Sequence, residues 1–330
     1  MTNSSHETIF PETLLQKLIS MNEIAKIEKV KLKEKNFNWI SVNKPTNAIL
    51  ENLKRRYKFH ELDIEDCLSE SQRPKIDDYE DYLFIVLQSP VGIGKNKRIA
   101  SSEVDIFIGQ NFVITLHENN PVIERVFEKC KKQRKTREEY LKNGSGYFLY
   151  MIIDDIFASA QPLIDNLNKE INQMEFEVFA TDYSKDRLKE ILSLKKDIIN
   201  FRRIIMPQRS LVAQLEHKNK KFLPDDLDVY FDDIVDMVEK MWNSLENLQE
   251  LINSVQDTNE SIISHNSNNI VKILTMISVI MLPLNLITGF YGMNIKLPLA
   301  GDAYAVDVII IVFIVAITGM LSYFYYKKWL

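Results

Sequence analysis

Asp257, Ser261, Ser264, Asn268, Val271, Thr275, Ser278, Leu282, Asn285 and Gly289 recur at a spacing of 3.5 residues. Most of the polar or small side chains of this stretch fall on that one stripe. A period of 3.5 keeps one face of an α-helix turned the same way over many turns, and it also suits self-association. Hydroxyl and carboxamide groups are costly against lipid and normally face a bundle interior or a water-filled path. Neutral oxygen donors of this kind, rather than His or Cys, suit hard, hydrated cations. The competing reading is that Ser and Thr bond back to their own helix and carry no function. One helix of this kind cannot enclose a path, so any conduit must be built by identical subunits around a symmetry axis.

The stripe needs a helix that crosses a membrane, and two segments qualify. Residues 270–290 are almost wholly apolar with Lys272 as the only charge, and 306–326 are apolar apart from Asp307 and the polar Thr318 and Ser322. About 21 residues at about 1.5 Å each match a hydrocarbon core of about 30 Å. The tail Lys327-Lys328-Trp329-Leu330 carries two cations and an interfacial Trp, Lys272 lies on the same side, and residues 291–305 between the spans hold one Lys and one Asp. The positive-inside rule then puts both termini in the cytosol and the short loop outside.

Ahead of the spans, residues 1–145 read as a cytosolic mixed α/β domain. Short β-branched or aromatic runs at 39–42, 82–87, 104–108 and 112–116 alternate with helical stretches at 47–57 and 122–135. Asn143-Gly144-Ser145-Gly146 is the most turn-rich tetrad and the expected boundary. Residues 146–222 read as antiparallel stalk helices, at 147–179 and 185–217, broken at Ala180-Thr181-Asp182. Pro224-Asp225-Asp226 is a good helix start, because Pro fits the first turn and carboxylates complement the helix dipole. From that start to Gly289 only Pro283 interrupts a helix of roughly 64 residues, so 223–290 read as one long pore helix that includes the first span; Pro283 frees the carbonyl of Val279. Residues 225–260 hold 11 acidic side chains and one Lys, whereas 181–222 hold 11 basic and 5 acidic ones. An acidic inner helix flanked by a basic outer one follows, unless both are solvated faces that never touch. The fold class expected is thus an α+β cytosolic domain, long stalk helices and a two-helix transmembrane hairpin, with 291–305 as the outer loop, 306–326 the second span and 327–330 a basic cytosolic tail.

The 330 residues carry 46 acidic and 41 basic side chains for a net charge of −5, so nothing points to nucleic acid. Cys67 and Cys130 have neither disulfide-framework nor zinc spacing and read as reduced thiols. The N-terminus lacks the basic and apolar regions of a signal peptide. There is no Gly-rich phosphate loop, and the 5 histidines form no metal-ligand spacing, so an enzyme and an organic cofactor are not expected.

Tyr291-Gly292-Met293-Asn294, directly after a first span and before a second, resembles the CorA family of magnesium transporters. Lys272-Ile273-Leu274-Thr275, Leu282-Pro283-Leu284, the final Lys-Lys-Trp-Leu, and Ile64 to Leu68 followed by Gln72-Arg73-Pro74-Lys75 match the family pattern, so the resemblance spans essentially the full chain. It implies a funnel-shaped homopentamer in the cell (plasma) membrane lipid bilayer that takes up Mg2+, with Co2+ or Ni2+ as further cargo. It implies that Asn294 forms an outer ring of carboxamides as the selectivity filter, on a turn shaped by Gly292 and Met293. It implies a path lined by Asn285, Leu282, Ser278, Leu274, Val271, Asn268 and Asp257; the stripe adds Thr275 and Ser264. It also implies regulation by cytosolic Mg2+, held between neighbouring subunits by Asp66 and Asp233.

Those residue types suit the task. Mg2+ dehydrates reluctantly, and amide oxygens can hydrogen-bond the hydrated ion without stripping it. Leu282, Leu274 and Val271 would form apolar constrictions that close by dewetting, and an Asp257 ring would concentrate cations. The chain departs from the family in its outer loop, Ile295 to Asp302, which lacks the usual Glu after the Gly-Met-Asn turn and adds Lys296. Asn285 stands where a Thr is common and Val271 where a Met is. A zinc or cobalt transporter of the same superfamily is the nearer rival, although zinc-transporting relatives tend to vary the tripeptide that this chain keeps. A membrane-anchored scaffold or sensor is the other, and it needs no polar stripe.

Overall fold

The computed structural model describes residues 26–32, 37–69, 72–94, 98–180, 185–216, 227–293 and 304–329. The chain divides into two compact units, one built from residues up to Ala180 with Ser184–Val255 and one built mainly from Gln256–Leu330.

In the first unit a six-stranded sheet has the order β1-β2-β6-β5-β4-β3. Its strands are β1 (Lys26–Leu32), β2 (Phe37–Asn43), β3 (Lys75–Asp78), β4 (Tyr82–Ile93), β5 (Arg98–Gly109) and β6 (Phe112–His117). Only β2 and β6 pair parallel; the other neighbours are antiparallel. The four apolar runs expected to be strands lie in β2, β4, β5 and β6. Ile106, Phe107 and Ile108 are consecutive and all fully buried, as expected of a strand covered on both faces.

One face is covered by α1 (Asn47–Tyr57), the short α2 (Glu61–Asp66) and the link between them, through Ile49, Leu50, Ile64 and the linking Phe59 against Phe84, Val86 and Phe107. On the other face Trp39 meets Phe127 of α3 (Pro121–Lys132) at 4.7 Å and Phe148 of α5 (Ser145–Ala158) at 4.8 Å, and its indole N–H donates to Thr115 at 3.1 Å. A buried indole needs such a partner, and this one locks the ring between the two helices. Cys67 and Cys130 are buried free thiols.

The stalk differs from the expectation at one point. Residues 147–179 are two helices, α5 and α6 (Gln161–Ala180), with Ser159 and Ala160 between them. The apolar period runs on across this turn, but Pro162 in the first turn of α6 cannot extend the preceding helix. The turn-rich tetrad is likewise shorter than it reads: α4 (Arg134–Leu141) precedes it, Gly144 caps α5 at φ 93°, and Ser145 and Gly146 are already helical and buried.

α7 (Lys185–Glu216) packs beside α8 (Asp228–Tyr291), a helix of 64 residues. The Pro224-Asp225-Asp226 start lies outside the described residues. Arg202 reaches Glu246 at 3.6 Å and lies over the Trp242 ring at 4.7 Å, and Arg209 pairs with Glu239. The basic and acidic helices therefore touch. Exposed pairs of this kind contribute roughly 0.2–1 kcal/mol each, so they orient the helices more than they stabilise them. The stabilising seam is apolar: Phe231, Ile234, Val238, Met241, Leu245, Leu248, Ile252 and Val255 are buried at alternating steps of three and four. That is the 3.5-residue period of coiled-coil packing.

The second unit holds the rest of α8 and α9 (Ala305–Tyr326). Both contain a stretch long and apolar enough to cross a membrane, and 6% of each such stretch is buried. A core helix of a soluble domain would be mostly covered, so these apolar surfaces require another apolar medium.

Candidate functional site

Along the second part of α8 the covered side is narrow. Met276 is buried and Ile280, Pro283, Leu284 and Ile287 are half-buried; on α9 Phe324 is buried and Ile309, Phe313, Ile317 and Met320 are half-buried. Met276 and Ser278 are two residues apart, about 200° at about 100° per residue, so the polar stripe lies on nearly the opposite side of the helix from this seam. Accordingly Asp257, Ser264, Asn268, Val271, Leu274, Thr275, Ser278, Leu282 and Asn285 are all exposed in the single chain. α8 thus carries two seams of the same period, one apolar and covered, one polar and uncovered.

The hydroxyls on the stripe do bond back to their own helix. Thr275 Oγ1 donates to the Val271 carbonyl at 2.8 Å and Ser278 Oγ to that of Leu274 at 2.9 Å. This settles where their protons go, but each oxygen keeps its lone pairs and presents an acceptor outward. Asn285 and Asn268 are exposed carboxamides that hydrogen-bond to no described residue. In the turn after Pro283, Thr288 Oγ1 lies 3.0 Å from the Leu284 carbonyl and 3.1 Å from that of Asn285.

α8 ends in a tight turn. The Gly292 N–H donates to the Thr288 carbonyl at 2.9 Å and the Met293 N–H reaches that of Phe290 at 3.4 Å. A Cβ at Gly292 would stand 3.0 Å from the Thr288 oxygen, a contact that favours glycine there. Met293 is exposed; Asn294 and the loop through Asp302 lie outside the described residues.

The two acidic residues singled out in the first unit are set up differently. Asp66 is the last residue of α2, whose first turn is held by His60 Nδ1 accepting from the Leu62 N–H at 3.3 Å. One turn earlier Asp63, fully buried, accepts from the Tyr79 hydroxyl at 2.9 Å and the Tyr82 hydroxyl at 2.6 Å. α2 is thereby pinned to the sheet, leaving Asp66 at its end. There Lys75 of β3 donates to Asp66 at 2.6 Å and to Asp77 at 2.5 Å. Burial works against the Lys75 ammonium, but the hydrogen bonds to Asp66 and Asp77 outweigh it and raise its pKa.

Asp233 is exposed on α8. It lies close enough to Asp154 of α5 to be felt there: burial raises the Asp154 pKa, with Asp155 and then Asp233 adding to it. Tyr150 is raised by burial and by both Asp154 and Asp233. No described contact joins Asp66 to Asp233 within the chain, and among the described residues no three His, Cys, Asp or Glu side chains converge on a metal position. Sequence reasoning missed Lys75 and Asp154. Lys75 sits in a quoted motif without a role, and Asp154 carries no local signal at all.

Comparison with known proteins is consistent along the whole chain. The sequence profile described as CorA-like Mg2+ transporter protein matches residues 34–328. YfjQ of Bacillus subtilis (strain 168), provisionally named a metal ion transporter, is 30% identical over 308 residues, covering 92% of this chain and 93% of that protein. The cobalt/magnesium transport protein CorA of Thermotoga maritima is 28% identical over 288 residues, covering 86% and 80%. The complete structure of the CorA magnesium transporter from Methanocaldococcus jannaschii shares the fold at a TM-score of 0.80, with 23% identity over 94% of this chain and 99% of that one. An α/β domain, a long helix running into an apolar span, and a second apolar C-terminal helix are common to both. The chain therefore belongs to the CorA-like Mg2+ transporter family of divalent metal ion transporters, membrane proteins that are not enzymes.

Proposed function

We propose that the protein is a homopentameric channel for Mg2+ uptake, entered at Gly292-Met293-Asn294 and lined by the exposed stripe of α8. The observation that carries this reading is the pair of opposed seams on α8: the apolar seam is covered within the chain, and the polar one awaits symmetry-related copies of itself. Five such stripes would present the carboxamides of Asn285 and Asn268 and the hydroxyl oxygens of Ser278 and Thr275 to a hydrated ion. Val271, Leu274 and Leu282 would be the apolar narrowings, and Asp257 a ring of carboxylates at the cytosolic end.

Both termini lie in the cytosol and the protein in the cell membrane. An inside-negative potential drives entry with about 4.6 kcal/mol per 100 mV for a divalent ion, so uptake needs no ATP. Cytosolic Mg2+ closes the path by bridging Asp66 of one subunit to Asp233 of the next; loss of the ion leaves like charges facing each other and the subunits part. Co2+ is the further cargo to test, because the Thermotoga maritima relative is named a cobalt/magnesium transport protein.

The test is Mg2+ flux into proteoliposomes with the cytosolic-side Mg2+ varied. Wild type conducts, and its flux falls as that Mg2+ rises; Asn294→Ala loses most of the flux. Unchanged flux in Asn294→Ala would remove the entrance, and flux indifferent to cytosolic-side Mg2+ would remove the sensor.

A further inference from the structure

The segment after α9 is built, not frayed. The N–H groups of Lys327, Lys328 and Trp329 donate to the carbonyls of Tyr323 at 3.0 Å, Tyr325 at 3.0 Å and Phe324 at 2.9 Å. Lys328 takes a left-handed conformation at φ 57°, uncommon for a residue with a Cβ and kept only where the surroundings hold it. That turn folds Trp329 back onto Phe324, the ring centroids 5.7 Å apart and 12° from parallel. Phe324 is the one buried residue of α9 among those described.

Lys272 of α8 meets this fold from the other helix. Its ammonium donates to the Lys328 carbonyl at 3.3 Å and stands 6.0 Å from the centre of the Trp329 ring. A lysine in an otherwise apolar stretch, beside the cationic side chains of a basic tail, is thus held by a carbonyl dipole and an aromatic face. Lys272 directly follows Val271 and comes two residues before Leu274, so the turn of α8 that it anchors bears two of the three apolar narrowings.

We propose that Lys272 and Trp329 form a clasp that positions the Val271–Leu274 turn, making Trp329 a positioning residue for closure of the path. The proposal rests on α8 lining that path. An apolar narrowing shuts only if its side chains stand at the axis in every copy, because dewetting depends steeply on radius. A stacked ring on a second helix fixes the rotation and height of that turn where α8 itself has no covered side chain between Lys272 and Met276.

Two readouts on the full-length protein separate the clasp from the transport reading. With a nitroxide on Val271→Cys and the buried Cys67 and Cys130 left in place, the distances between copies broaden at least two-fold in Trp329→Ala and stay narrow in Trp329→Phe. In proteoliposomes, residual Mg2+ flux at cytosolic-side Mg2+ that shuts wild type rises at least three-fold in Trp329→Ala and in Lys272→Met, and no further in the double variant. Unchanged distances in Trp329→Ala, or flux effects that multiply in the double variant, would overturn the clasp. If Trp329→Ala does not assemble, Lys272→Met against Lys272→Arg decides on the same distances: the methionine broadens them and the arginine does not. Absence of flux in wild type counts against the transport reading, and the distances between copies then decide for or against the clasp by themselves.

Discussion

Lys75 holds Asp66 at 2.6 Å and Asp77 at 2.5 Å with a single ammonium, so the carboxylate proposed to take cytosolic Mg2+ already has a cation inside its own chain. Mg2+ arriving at Asp66 must compete with that partner. The pair is partly exposed, and interactions of this kind are worth roughly 0.2–1 kcal/mol. Lys75→Met should therefore lower the Mg2+ concentration for half-closure by about two- to five-fold, read from flux against cytosolic-side Mg2+. An unchanged or higher concentration would mean that Lys75 does not restrain Asp66.

Asp154 is raised by burial and by the charges of Asp155 and Asp233, which places its carboxylate within the field of the proposed sensor. Removing that charge weakens the attraction for a cation at Asp233 without removing the ligand. Asp154→Asn should raise the half-closing Mg2+ about two- to five-fold, whereas Asp233→Asn should make flux insensitive to it. Equal effects of the two variants would contradict the separate roles given to them.

The Gly292 turn is tight for a side chain, since a Cβ would stand 3.0 Å from the Thr288 carbonyl oxygen and that backbone oxygen would have to give by a few tenths of an ångström. Gly292→Ala should shift that oxygen and the turn after it, reducing Mg2+ flux at least ten-fold in an intact oligomer. Gly319 on α9 is the control: nothing lies within 4 Å of a Cβ there. Gly319→Ala should keep full flux and stabilise the helix by roughly 0.5–1 kcal/mol, seen as a higher melting temperature.

His117 is buried in the first unit, its Nε2 3.1 Å from Ser41 Oγ and its Nδ1 accepting from the Asn120 N–H at 3.1 Å. Burial pushes its pKa down to about 4, below the ordinary value of 6.5. A group depressed in the folded state contributes stability above its unfolded pKa and loses it as pH falls toward its folded one. Thermal unfolding of the purified protein should thus weaken between pH 6.5 and 4, and His117→Gln should flatten that part of the profile. An equal slope in both proteins would show that His117 is not the group responsible.

What could be read from residues alone follows from where the signal was local. β4 and β5 are visible through runs such as Leu83 to Leu87, because central strands buried on both faces need continuous apolar side chains. β1 and β3 went unseen, and they are the two edges of the sheet. Their sequences, KIEKVKL and KIDD, carry the charges that keep an edge from pairing with strangers and so hide it from a hydrophobic pattern. The polar stripe was legible at its period of 3.5, but the return of the Thr275 and Ser278 protons to their own helix was not. Lys75 and Asp154 became visible only once the chain had folded, because strand pairing brings Lys75 to α2 and helix packing brings Asp154 to α8. The Lys272–Trp329 contact needed the turn at Lys328, for which a lysine gives no hint.

The opposed seams of α8 can be probed directly by placing single cysteines along residues 268–287 and measuring Mg2+ flux after a charged, water-soluble thiol reagent. Modification at 268, 271, 275 or 278 on the stripe should cut flux at least ten-fold and be slowed by Mg2+, while 276, 280 and 287 on the covered seam should be unaffected. Block from the covered seam with none from the stripe would contradict the assignment of the stripe as the ion path.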